Sequence, residues 1–306
     1  MFTETQILEH LNREHRSGFH DMVWFRDGGS LSYLIRSGDQ RYFLKIIRPQ
    51  MLETAIQSIG IHLYLRRHQF PVPAIIPGRT GSPYSIAETA QGRYLFVVYE
   101  YLEGAEPDIH QHAESIGSLT GVFHALMQGY SGPLTERGKD FFLDRYLGIL
   151  KKKNYPEPKW QAYANYGNEL WARVKHLPYG YCHGDLNRGN LLQTASGDIY
   201  LLDLDTSCRS FPLYDIALVC NCTDYFRFEE KDYAETRDIL ERFLSGYTQH
   251  REISARMRAA IFDLIALMHY QLQATIIEIY GLDCVDERFV DDQLEWLQKW
   301  QKASRG

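Results

Sequence analysis

The stretch YCHGDLNRGNLL, residues 181–192, places a His, an Asp and an Asn within eight positions and then runs into leucines. Eleven residues after Leu192 stands Asp203, in LDLD, with Asp205 two positions on. NLLQTASGD reads as a strand with a turn at Ser196 to Asp198, and GDIYLLDLD as the return strand ending at Asp203. A hairpin of this kind is a rigid support, on which Asn190 and Asp203 sit at fixed positions, with Asp185 on the loop just before it. Few local folds satisfy both the apolar runs and the polar offsets, so this segment constrains the chain more than any other.

Three polar groups can converge there: Asp185, Asn190 and Asp203. Phosphoryl transfer from a nucleotide needs such a set, because a carboxylate must accept or orient a hydroxyl proton and hard oxygen ligands must hold Mg²⁺ against the phosphates. Asp185 suits the first task, and Asn190 with Asp203 the second. The plainer alternative is a polar turn ahead of a hairpin.

The rest of the chain bounds the classes available. It has 306 residues, 44% of them hydrophobic, enough for one large or two medium domains with a substantial core. The net charge of -6 argues against a nucleic-acid partner, whose footprint would be basic. The start, MFTETQILEH, has neither a basic cluster nor an apolar run, so no signal peptide is expected. The best membrane candidate, AAIFDLIALMHYQLQATIIEIYG, is interrupted by Asp263 and Glu278, so no membrane partner is expected. Five cysteines without framework spacing read as free thiols in a reducing cytoplasm. Cys220 and Cys222 lack a second ligand pair for zinc.

Residues 1–102 read as strand-rich after a first helix. MVWFRDGGSLSYLIRSGDQRYFLKIIRP has the apolar runs and turns of a three-stranded antiparallel meander, with turns at Gly28 and Gly29 and at Gly38 and Asp39. MLETAIQSIGIHLYLRRHQ has helical spacing, and YSIAET and RYLFVVYEYLEG supply two more strands. After Glu103 helices dominate. The expected organisation is α+β: a small β-rich domain, 1–102, ahead of a larger helical one, 103–306.

HGDLNRGN with its downstream aspartate resembles the catalytic and metal motifs of the aminoglycoside phosphotransferase and choline kinase-like superfamily, relatives of protein kinases. Every fixed position of H-G-D-x-x-x-x-N and the later Asp is present as His183, Gly184, Asp185, Asn190 and Asp203. The resemblance implies a bilobal protein-kinase-like fold, a nucleotide-binding N-lobe and an acceptor-binding C-lobe. It implies an ATP- and Mg²⁺-dependent enzyme, with GTP the alternative donor, phosphorylating a hydroxyl of a small molecule. Asp185 is then the catalytic base, Asn190 and Asp203 hold Mg²⁺, and His183 braces the loop. Asp205 either lines the metal site or binds only backbone amides. YDIALV matches a further family segment in which Asp215 is a buried brace. The alternatives are a protein Ser/Thr kinase of the same fold, or a nucleotide-binding protein of low turnover. The oligomeric state is not legible.

The first lobe offers matching parts. Gly28, Gly29, Ser30 and Ser32 can form the phosphate-covering loop, or an ordinary hairpin turn. Lys45, inside the apolar strand YFLKII, is costly unless an anion meets it; the resemblance supplies nucleotide phosphates, and an edge-strand lysine reaching water is the alternative. Backbone groups near Glu100, Tyr101 and Leu102 resemble the hinge that faces adenine. One departure stands out. Relatives commonly carry a glutamate about thirteen residues before the PVP segment, and that position here is near Ser58. Glu53 is the only nearby acid, either paired with Lys45 through a shifted helix or exposed at a helix start. His124 reads as a core residue of a long helix.

In the last third an apolar stripe runs from Met257 to Ile279, with Asp263 and Tyr270 on the opposite face, lining a pocket or facing water. Trp296 and Trp300, one turn apart, read as packing. Residues 224–306 hold 16 acids against 11 bases, concentrated in GLDCVDERFVDDQLEW. That run is either a solvated face or an attractor for a cationic alcohol.

Overall fold

Alternating apolar residues and glycine turns between residues 21 and 47 produce the expected meander. The computed structural model describes residues 2–305. A first helix, α1 (Glu4–Glu14), is capped by Thr3, whose side chain and that of Gln6 exchange hydrogen bonds with backbone amides at the helix start. Then come β1 (Asp21–Asp27), β2 (Ser30–Ser37) and β3 (Gln40–Ile47), all antiparallel. Helix α2 (Leu52–Arg67) precedes β4 (Ser85–Thr89) and β5 (Gly92–Glu100). The sheet order is β1-β2-β3-β5-β4, so β3, which carries Lys45, lies at its centre.

The chain divides into two compact units. One comprises the residues up to Glu106 together with Tyr130–Pro133 and Gly189–Thr206; the other comprises Pro107–Gly129, Leu134–Arg188 and the chain from Ser207 onward. The hairpin recognised in the sequence thus groups with the β-rich unit. It consists of β9 (Leu191–Thr194) and β10 (Ile199–Leu201), flanked by β6 (Gly104–Ala105) in a sheet of order β10-β9-β6. Among the described residues two apolar clusters lie in the core of this unit. Ile7, Leu11, Leu44, Ile46, Phe96 and Val98 build one, and Ile47, Ile59, Leu95 and Val97 the other.

The second unit is helical: α3 (Ile109–Leu126), α4 (Arg145–Lys152), α5 (Glu157–Val174), α6 (Pro212–Cys220), α7 (Glu230–Tyr247), α8 (Ala255–Tyr280) and α9 (Glu287–Arg305). A small sheet, β7 (Thr135–Glu136), β11 (Cys208–Ser210) and β8 (Gly180–Cys182), stands beside them. Helices α3 and α7 meet at backbone distance, because a Cβ on Gly117 would lie 1.9 Å from the Phe243 carbonyl oxygen and one on Gly246 1.9 Å from that of Glu114. Helix α8 is long and apolar enough to cross a membrane by length and composition, yet 72% of its most apolar window is buried within the chain's own fold. It packs against α4, α5, α6 and α9.

Two readings of α8 are corrected. Tyr270 is fully buried and donates its hydroxyl to the Tyr163 carbonyl, while Asp263 takes a two-pronged ion pair from Arg173. A helix covered on several sides has no single solvent face for a wheel to find. At its end Ile279, placed in the apolar stripe, is 66% exposed. Trp296 and Trp300 are buried and stacked, with centroids 5.4 Å apart.

Candidate active site

The candidate residues divide between the units. In the β-rich unit, Lys45 stands opposite Ser32 across the β2–β3 ladder, so the two side chains share one face. Lys45 is nearly buried, and its ammonium donates to Asp203 Oδ1 at 2.7 Å and to Asp205 Oδ2 at 3.0 Å. Burial pulls its pKa down, but the charges of Asp205 and Asp203 outweigh that and hold it above the ordinary lysine value. The short 3₁₀ turn Leu204–Thr206 lets two aspartates spaced two apart reach one ammonium.

Asp203 lies just past β10 with φ 57°, in the left-handed region that Asp tolerates better than most residues. A backbone hydrogen bond from Leu202 to the Asn190 carbonyl, 2.9 Å, closes the hairpin base, so the chain positions of Asn190 and Asp203 are fixed together. The second oxygen of Asp203 receives Arg26, 3.0 Å away. Arg26 follows an irregularity in the β1–β2 register between Trp24 and Arg26, just ahead of the Gly28–Gly29 turn. The turn is exposed, and neither glycine has a neighbour within 4 Å of an added Cβ. Ser30 is half-buried, whereas Ser32 is buried with a hydroxyl that lacks a hydrogen-bond partner.

Glu53 is exposed in the first turn of α2 and takes no part in the lysine pair. At the position near which relatives carry glutamate, Ser58 donates its hydroxyl to Asp205 Oδ1 at 2.9 Å. Asp205 therefore bonds to two side chains, which departs from the expectation that it binds only backbone amides. At the other end of β5, Glu100 both donates its amide to Ala74 and accepts the Ala74 amide on its carboxylate. Tyr101 lies under the Arg41 guanidinium at 4.3 Å, and Leu102 is half-buried.

In the helical unit the loop His183–Arg188 carries Asp185. Asp215, fully buried on α6, accepts the amides of His183 at 2.7 Å and Gly184 at 2.9 Å. Gly184 has φ +81°, so only glycine turns here without strain. The same carboxylate accepts His124 Nε2 at 3.0 Å, and His124 Nδ1 meets the Tyr247 hydroxyl at 3.0 Å. With Nε2 donating, Nδ1 is left to accept the tyrosine proton. Asn187 donates to Asp185 Oδ1 at 3.0 Å, and the Asp185 amide donates to His183 Nδ1 at 3.3 Å. Arg188 fixes the loop's far end on the carbonyls of Val219 and Asn221. The charge of Asp185 reaches Tyr214, whose hydroxyl begins a chain through Gln271 and Thr275 to Arg145 and Glu278.

The sequence reading missed Arg26 altogether and gave Ser58 no task. The only signals were an arginine next to the glycine turn and a serine where an acid was expected.

A sequence profile described as "Phosphotransferase enzyme family" matches residues 25–257, most of the chain, a span that includes Arg26, Lys45, Asp185, Asn190, Asp203, Asp205 and Asp215. The chain belongs to this family. Amicoumacin kinase of Bacillus subtilis is 22% identical over 304 residues, covering 94% of this chain and 89% of that protein. Two solved structures superpose with TM-scores of 0.76. One is an amicoumacin kinase in complex with AMP-PNP, Ca²⁺ and Ami, at 19% identity and covering 98% of this chain and 94% of that one. The other is a microcompartment-associated aminopropanol kinase, at 18% identity and covering 99% and 97%. The fold is thus the α+β kinase-like one that HGDLNRGN implied.

Proposed function

We propose that this chain transfers the γ-phosphoryl group of ATP to a hydroxyl of a small molecule that also carries an amino group. The observation that carries the reading is the cation-gathering carboxylate Asp203, placed by the hairpin that starts at Asn190, with Lys45 on the same unit. Asp203 already draws two cations to its two oxygens, so its donor chemistry suits a hard dication. Among the described residues no group of three or more His, Cys, Asp or Glu side chains is arranged to hold a metal. Mg²⁺ commonly uses one or two protein carboxylates and completes its shell with phosphate oxygens and water. Asn190 and Asp203 would hold it, and when bound it would neutralise charge on the phosphates. ATP fits the same residues: Ser32 offers an unused buried hydroxyl and Lys45 a buried charge. Residues 1–102 would supply most nucleotide contacts, and Glu100 to Leu102 the adenine edge.

Asp185 orients the acceptor hydroxyl and takes its proton. The loop amides fixed on Asp215 hold it in place, and Asn187 donates to one of its carboxylate oxygens. An amino group on the acceptor is supported by what a similar protein is named for, aminopropanol. The acidic run after residue 282 gives less support than its charge count suggests. Lys159 pairs with Glu287 and Asp291, and Lys299 with Glu295. A phosphorylation screen over amino alcohols, amino sugars, amino-acid alcohols and neutral sugars tests the reading. Turnover confined to amine-bearing acceptors is expected. Equal or faster turnover of neutral sugars would contradict amine selection, and phosphorylation of protein serines alone would replace the acceptor class.

A further inference from the structure

Lys45 has two carboxylate partners, and the proposed chemistry leaves it only one. A dication on Asp203 withdraws much of that carboxylate's charge from the ammonium. A nearly buried lysine then needs another anion, since an uncompensated buried charge is strongly unfavourable. Asp205 is built for that task. One of its oxygens, Oδ1, is held by the Ser58 hydroxyl from α2, and the other, Oδ2, faces Lys45. Helix α2 contributes no acid to this pair, because Glu53 is exposed in its first turn.

We infer that Asp205, braced by Ser58, is the positioning residue that keeps Lys45 extended toward the nucleotide phosphates while Asp203 serves the metal. The inference rests on the phosphotransferase reading. The two aspartates then divide the labour: one exchanges cations during turnover, and the other is a permanent counter-charge tied to a helix. Ser58 has no contact with nucleotide in this scheme and acts only through Asp205.

Calorimetric titration of the full chain with ADP and with adenosine, both at saturating Mg²⁺ so that Asp203 is engaged by the dication, tests this directly, because only ADP offers phosphates to Lys45. Asp205→Asn, which keeps an acceptor for Ser58 but removes the charge, should weaken ADP binding about tenfold, or ~1.4 kcal/mol. Adenosine affinity should not change. In turnover assays KM for Mg·ATP should rise by a similar factor, while the acceptor KM and the Mg²⁺ requirement stay put. Asp205→Glu should restore part of the loss. Ser58→Ala should weaken ADP binding about two- to fivefold alone and add almost nothing on top of Asp205→Asn, since residues acting as one unit are not additive. If Asp205→Asn does not fold, Ser58→Ala and Asp205→Glu carry the same contrast. Unchanged ADP affinity in these variants, equal losses for adenosine, or a raised Mg²⁺ requirement alone would overturn the inference. Absent nucleotide binding by the unsubstituted protein would overturn the parent reading instead.

Discussion

Lys45 with its aspartates and Asp185 with its loop are both polar constellations around a carboxylate, yet they are held in opposite ways. The first is a set of charges on charges: Lys45, Asp203, Asp205 and the half-exposed Arg26. The ion pairs on Asp203 can exchange partners, which suits a place where a dication and a phosphate chain come and go. The second is held by hydrogen bonds that converge on the Asp215 carboxylate and on His124, neither of which has any exposed side-chain surface. Nothing there needs to move, which suits a base that must meet an acceptor hydroxyl at fixed geometry. The lesson is that burial and partner type separate a carboxylate that gathers cations, Asp203, from one that braces a loop, Asp215, even where the residue is the same.

The largest expected effect that sharpens this contrast comes from Asp185→Asn. Turnover should fall about 10²–10⁴-fold, the usual contribution of a positioned base, while nucleotide affinity stays within twofold. Single-turnover rates beside ADP titrations check both halves, and near-normal turnover would remove Asp185 from the chemistry. Next is Asp215→Asn. It takes the charge from a buried network and leaves loop amides facing a poorer acceptor, so unfolding stability should drop by about 3–5 kcal/mol. A denaturant titration measures this, and a loss under 1 kcal/mol would show that the loop does not depend on Asp215.

A smaller effect is expected in acid. His62 in the β-rich unit and His269 in the helical one are held neutral, with burial pulling their pKa values down to about 4 and about 3. The unfolded chain binds these protons near pH 6.5. Their contribution is therefore complete above pH 6.5 and is lost as pH falls toward the folded values. Between pH 6.5 and 5, where carboxylates remain largely ionised, stability should fall by about 1.4 kcal/mol per pH unit for each histidine. Unfolding curves across that window should lose one histidine's share of the slope, about 1.4 kcal/mol per pH unit, in His269→Gln, and an unchanged slope would place the proton uptake elsewhere. The smallest effect belongs to Arg26→Ala. An exposed pair is worth about 1 kcal/mol at most, so freeing Asp203 should lower the Mg²⁺ needed for half-maximal nucleotide binding about two- to fivefold. A higher requirement would make Arg26 a helper of metal binding instead of a competitor.

The meander, the hairpin between Asn190 and Asp203 and the loop around Asp185 were legible because each is written locally. Glycine turns, apolar alternation and fixed offsets specify them within a few tens of residues. The brace Asp215 was legible through YDIALV, and His124 as a core residue of α3. What was not legible depends on distant segments. Lys45 finds its second partner 160 positions away, on a 3₁₀ turn whose side-chain directions no periodicity reveals. Ser58 looked like a missing acid because the acid had moved to another element. Tyr270 was assigned away from the core because a helical wheel assumes one buried face, whereas α8 is covered by several helices.

The central claim is that Asp203 serves metal and nucleotide while Asp185 serves the transfer itself. Titrating ATP with and without Mg²⁺ into the unsubstituted protein, Asp203→Ala and Asp185→Asn tests it most directly. The gain in affinity given by Mg²⁺ should vanish in Asp203→Ala and persist in Asp185→Asn. Undiminished Mg·ATP affinity in Asp203→Ala would contradict the account.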